Sequence, residues 1–159
     1  MATMTPQQKA TLKAAILSET DPAFVALRNA GDEQGMADWW NTFTTFVVWR
    51  TSVPLSEVVA EVDGVELVGL TTTKLAAYQS LLLAGAVNPS KTRIRAGFDQ
   101  VFSGAGGNIT RPLLLALWKR FARRIGRLYA TGTGTDASPG TLVFEGTVNA
   151  QNISDALRA

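Results

Sequence analysis

The sequence of 159 residues contains neither cysteine nor histidine. Without cysteine there is no disulfide framework and no thiol nucleophile. Without both residues there is no zinc finger, no His-based triad and little basis for a transition-metal site. An enzyme built from this chain would have to work with carboxylates, Lys, Tyr or Ser alone. Long apolar runs are missing too. No window reaches the ~18 apolar residues that a membrane-spanning helix needs, so no membrane partner is expected. The first residues, MATMTPQQK, lack the apolar core of a secretion signal. They predict a protein made and kept in a cytoplasm, or in a particle assembled there.

A chain of this length hides roughly 68–70% of its unfolded surface and suggests one domain, or one domain with an appendage. The net charge is only +2, but it is polarised. Residues 1–90 carry nine acids and five bases, whereas residues 91–127 carry nine bases and only Asp99. Residues 128–159 return to a small acidic excess, with Arg158 against Asp136, Glu145 and Asp155. Such asymmetry points to an electrostatic partner, or to copies that meet through opposite faces.

Helix signals recur along the first two thirds. Thr5 stands three residues before Gln8, and Pro6 takes the first helical position, which is a capping-box start. Asp21-Pro22 opens a second helix that Gly31 can end. A third run, Asp32 to Asn41, carries Met36, Trp39 and Trp40. Thr42 to Arg50 is rich in β-branched and aromatic residues and reads as a strand, a helix end or a buried extended segment. Pro54 opens another helix, which Asp63-Gly64 ends in a turn. Thr71 to Ala84 and a segment after Asn88-Pro89 follow as helices, and Ser103 to Asn108 is a loop. Leu114, Leu117, Trp118, Phe121, Ile125 and Leu128 then recur at helical spacing and predict one long helix from Thr110 to about Tyr129. The expected fold is mainly α: a compact multi-helix bundle over residues 5–129, so that a helical domain spans 1–129.

Composition changes after Tyr129. Residues 130–140 form a linker of Gly, Thr, Ser and Pro, in which eleven residues span about 17–20 Å as a flexible chain. Thr141 to Asn149 reads as a short strand without a hairpin partner, and Asn152 to Arg158 as a last helical turn. Residues 130–159 are therefore expected to be a flexible linker plus a C-terminal arm. A lone strand gains stability by joining another edge, with Leu142, Val143, Phe144 and Val148 as the partner contacts.

Lys119, Arg120, Arg123, Arg124 and Arg127 form the strongest charge signal, a basic stripe with no acid among them. Its expected contact is nucleic-acid phosphate or an acidic neighbour. The alternative is a solvated face favoured by the helix C-terminus. The glycine segments Ser103–Gly107 and Thr131–Gly134 are not phosphate loops, because no Gly-Lys-Ser/Thr follows. Glu57 and Glu61 fall at i, i+4 but lack a nucleophile or ligand partner, so they read as a wet surface. The aromatics Trp39, Trp40, Phe43, Phe46 and Trp49 could stack bases, although a helical core needs such bulk as well. No catalytic, cofactor or metal site is expected.

Three segments carry a resemblance: WRTSVP (Trp49–Pro54), NPSKTRIRAG (Asn88–Gly97) and ATGTGTDASPGTLVFEGTV (Ala130–Val148). They are similar to small virion proteins of tailed bacteriophages, and the whole resembles the head-to-tail adaptor (connector) proteins of such phages. That resemblance implies a ring, typically of twelve copies, at the head–tail junction beneath the portal protein. Helical domains would pack side by side, a C-terminal segment would reach the portal, and tail-side connector proteins would lie below. Genomic DNA would pass non-specifically through the lumen. Assembly would take place in the host cytoplasm. Another head or tail component, such as a stopper, a terminator or a capsid-bound protein, is the alternative of the same class. A small DNA-binding regulator is the alternative of another class, although reading helices contact bases near their N-termini and this stripe lies towards a C-terminus.

Overall fold

The computed structural model describes residues 4–159, and over these the chain is mainly α-helical. The order is α1 (Pro6–Ser18), α2 (Pro22–Ala30), α3 (Glu33–Trp40), β1 (Phe43–Trp49), β2 (Val53–Pro54), α4 (Leu55–Ala60), α5 (Gly64–Val68) and α6 (Thr72–Leu82). It continues through β3 (Ala86–Val87), α7 (Thr92–Val101), a 3-10 turn at Gly104–Gly107, α8 (Thr110–Leu117), β4 (Lys119–Arg123), α9 (Arg124–Leu128), β5 (Ala130–Thr131), β6 (Thr141–Leu142) and α10 (Ala150–Arg158). The chain divides into two units, each built from separated stretches. The first takes residues up to Phe46, Phe121–Gly134 and Leu142–Ala159, and the second takes Val47–Arg120 and Thr135–Thr141.

The early helices begin where local chemistry satisfies their free N–H groups. Thr5 Oγ1 accepts from Gln8 N at 3.2 Å while Thr5 N donates to Gln8 Oε1 at 2.8 Å. Asp21 caps α2 and Gly31 closes it at φ 68°, a conformation open to glycine at little cost. Asp32 and Thr71 cap α3 and α6 in the same way.

The core of the first unit joins Leu12 and Ile16 of α1, Phe24 of α2, Met36, Ala37 and Trp40 of α3, and Ile125 of α9. Phe144, Val148, Ile153 and Ala156 complete it. Helix α10 opens with a capping box at Asn149 and Asn152 and packs on α1 and α3. Lys9 Nζ pairs with Asp155 Oδ2 at 2.9 Å. The Asn41 side chain donates to Val148 O at 2.7 Å and accepts from Val148 N at 3.0 Å. Tyr129 donates its hydroxyl to Gln8 O at 2.6 Å, and burial pushes its phenol up to about 12.

The second unit gathers Val53, Val58, Tyr78, Val87, Phe98, Val101, Phe102, Leu114 and Trp118. Strands β2 and β3 pair antiparallel, Val53 with Val87 and Pro54 with Ala86. Arg50 holds Glu57 through two bonds of 2.6 and 3.2 Å. Both carboxylate oxygens of Glu66 on α5 accept main-chain N–H groups, from Ile109 and Thr110, at 2.9 Å each.

Three expectations are corrected. The long helix is broken after Leu117: residues 119–123 form β4 and pair with β1, with Arg124 N donating to Thr42 O and Arg50 N to Trp118 O. The apolar residues from Trp118 to Arg123 stand at 118, 121 and 122, a helical spacing. The strand is therefore set by the ladder that β1, rich in β-branched and aromatic residues, supplies, and not by a local period. The apolar series expected on one helix face is consequently split. Ile125 enters the first core, Leu117 packs against the second, and Phe121 stands 54% exposed.

The C-terminal arm is the second correction. Only Thr141–Leu142 is strand, paired with β5, and Phe144 and Val148 are buried in their own unit. The linker is pinned as well. Thr135 and Ser138 exchange main-chain bonds in a turn, and Gly140 bonds Val47 and Trp49 of β1. The linker, expected to be flexible, is the third correction. Asp63 follows the end of α4 as expected and also starts a helix, since Oδ1 accepts from Val65 N and Glu66 N to cap α5.

Candidate functional site

The basic residues no longer share a helix, and their environments differ. Lys119 is neutralised by Asp136, Nζ to Oδ1 at 2.6 Å. Arg120 is half-buried in β4 and engaged within the chain. Arg123 ends β4 and precedes α9 with extended backbone. Its guanidinium donates to Asn41 O at 2.7 Å and lies 4.6 Å from the centre of the exposed Phe43 ring. Arg124 and Arg127 are three apart on α9 and so share a side of it.

Around those two arginines the first unit forms a pocket of about 430 Å³, lined by Glu19, Trp39, Trp40, Thr44, Arg124, Arg127 and Leu128. Arg124 Nε donates to Thr42 Oγ1 at 2.9 Å, and its guanidinium stacks 3.9 Å from the Trp39 ring centre. Trp39 rests in turn on Phe24 and Trp40, at 4.5 and 5.0 Å. The planar cation is therefore oriented by a face contact and one hydrogen bond. That leaves its two terminal nitrogens as donors towards whatever enters.

Arg127 is exposed and lies 5.7 Å from the Phe46 ring centre. Phe46 is seated against Gly134, where a Cβ would come 2.1 Å from the ring and where φ is +68°. No side chain but hydrogen fits there. Neither Arg124 nor Arg127 forms an ion pair among the described residues. On the wall, Thr44 is occupied by the Ala122 carbonyl at 3.0 Å. Glu19 Oε1 is occupied by the N–H groups of Thr20 and Asp21 at 2.9 and 3.0 Å. The arrangement can bind an anion by paired guanidinium donors above an apolar wall.

The remaining expected contacts are dispersed. Leu142 packs beside Gly126, Phe144 and Val148 are buried, and Val143 is exposed. Of the aromatic cluster, Trp39, Trp40 and Phe46 support the pocket. Trp49 belongs to the second unit, where Arg95 stacks on it at 3.9 Å. Glu19, Thr44 and Leu128 escaped the sequence reading because nothing local marks them.

Two further cavities lie in the second unit. One of about 350 Å³ has Arg95 and Arg111 in its wall, but Arg111 is committed to the carbonyls of Gly104 and Gly107. The other, of about 530 Å³, lies along α6 and α7 and its one charged group is Lys74, which donates to Ser103. Among the described residues no three His, Cys, Asp or Glu side chains gather as metal ligands, and no helix is long and apolar enough to cross a membrane. No family model, curated protein or solved structure matches the chain.

Proposed function

We propose that this chain is a structural protein of a tailed-phage virion, a head-to-tail adaptor that forms a ring between portal and tail. The observation that carries the reading is the pair Arg124, stacked on Trp39, and Arg127, exposed beside Phe46, both without acidic partners among the described residues. Cations pre-ordered in this way suit a partner surface better than solvent, because their conformational freedom is already restricted. Exposed apolar side chains add support: Val65 and Val68 on α5 are 82% and 87% exposed. Apolar groups standing together at a surface mark contact sites.

In this reading the partners are the portal protein, neighbouring copies to a ring of twelve and tail-side connector proteins, with genomic DNA passing through without sequence recognition. Phe144 and Val148 serve the core of their own unit, so of the expected arm contacts the exposed Val143 is the one open to a portal contact. The regulator alternative is less favoured, since Arg124 and Arg127 lie on a helix of a single short turn. Quantitative mass spectrometry of purified particles of the encoding phage tests the proposal. The chain is expected there at one copy per portal subunit, and its absence from particles that retain portal and tail would overturn the proposal.

A further inference from the structure

Four acids lie between residues 57 and 66, and three are committed. Glu57 is held by Arg50, Asp63 caps α5, and Glu66 accepts from Ile109 and Thr110. Glu61, at the C-cap of α4, has a carboxylate with no hydrogen bond or ion pair among the described residues. It is flanked by the exposed apolar residues of the same two helices, Val59 on α4 and Val65 and Val68 on α5. The last two, three apart, share one side of their helix.

We infer that the pocket at Arg124 and Arg127 receives α4–α5 of a neighbouring copy, with the Glu61 carboxylate on the two guanidiniums and the valines on the apolar rim. This deepens the adaptor reading and rests on it. A carboxylate fits the planar donors of arginine two bonds at a time, and Trp39, Trp40 and Leu128 offer the apolar wall. A nucleic-acid strand fits less well. Backbone recognition needs a series of cations along the polyanion, whereas Lys119 is neutralised and Arg123 donates to the Asn41 carbonyl. Pocket and ligand segment lie in different units of the chain, and in the adaptor reading they meet head to tail, as a heterologous contact. Repetition of such a contact yields a closed ring or a filament.

The test is charge exchange in the full-length chain, read as assembly mass by sedimentation and native mass spectrometry, with melting curves to show that each variant is folded. Arg127→Glu alone and Glu61→Lys alone should each lose the assembly. An equimolar mixture of the two should regain it, because the reversed charge at position 61 of one chain then meets the reversed charge at position 127 of the other, while the unaltered contact forms in the reverse direction. The double variant should regain it as well. Should either reversal fail to fold, Arg127→Ala and Glu61→Gln replace the pair, and each should weaken assembly. Single variants that assemble like the parent would overturn the contact and leave the adaptor reading standing. So would single variants that fail without rescue in the mixture. An Arg127→Glu chain that assembles normally but no longer retards DNA would assign the pocket to nucleic acid instead. A parent chain that stays monomeric at every concentration would contradict both the contact and the adaptor reading.

Discussion

Phe144 and Phe121 are the same side chain in opposite surroundings. Phe144 is 4% exposed and packs in the core that holds Leu12, Phe24 and Met36, with the Tyr129 ring 5.5 Å away. Truncation there removes buried area and leaves a cavity, so Phe144→Ala should lower stability by about 3–5 kcal/mol. At Phe121, 54% exposed in β4, the same change should stay within about 1 kcal/mol. Urea unfolding of the two variants checks the contrast. Equal losses would mean that the C-terminal segment is not part of the core. The sequence alone marks Phe121 as inward and Phe144 as outward, because periodicity sees neighbours along the chain and not the strand or helix that arrives from elsewhere. At the pocket the arginines were legible as a stripe and the tryptophans as a cluster. Their meeting was not, since Trp39 and Arg124 are brought together only by tertiary structure.

Among the elements, those closed by local hydrogen bonds were readable: α1 by Thr5 and Gln8, α2 by Asp21 and Gly31, α6 by Thr71. The elements that depend on distant partners were readable only in part: β1 stood as one of three alternatives until residues 119–123 pair with it, and α10, read as a last turn, has its amphipathic face satisfied by α1 and α3. The tie between α1 and α10 is titratable. Hydrogen bonds from Lys9 and Gln151, with the charge of Lys9 behind them, hold the Asp155 carboxyl below its ordinary value. A depressed carboxyl adds stability above its unfolded pKa of about 3.9 and loses it as pH falls through the lower folded value. Asp155→Asn should therefore melt below the parent at neutral pH, and the two curves should converge under strongly acidic conditions. A gap that persists unchanged at low pH would show that the bond between α1 and α10 is not carried by the charge of Asp155.

On the scale of the whole molecule, the division of charge along the sequence becomes a division between internal and external use. Part of the basic stretch is consumed at home, Lys119 by Asp136 and Arg123 by the end of α3. Arg124 and Arg127 have no ion pair among the described residues. The acidic stretch behaves likewise: Glu57, Asp63 and Glu66 hold their own unit together, and Glu61 does not. The cationic pocket of the first unit and the Glu61–valine segment of the second are carried by one chain, the combination that the proposed head-to-tail repetition requires. Electron-microscopic reconstruction of the assembled full-length chain tests this account most directly. The account predicts a closed ring with a central opening, in which α4–α5 of each copy lies against Arg124 and Arg127 of the next. A two-fold dimer, or an assembly in which those arginines face open solvent, would contradict it.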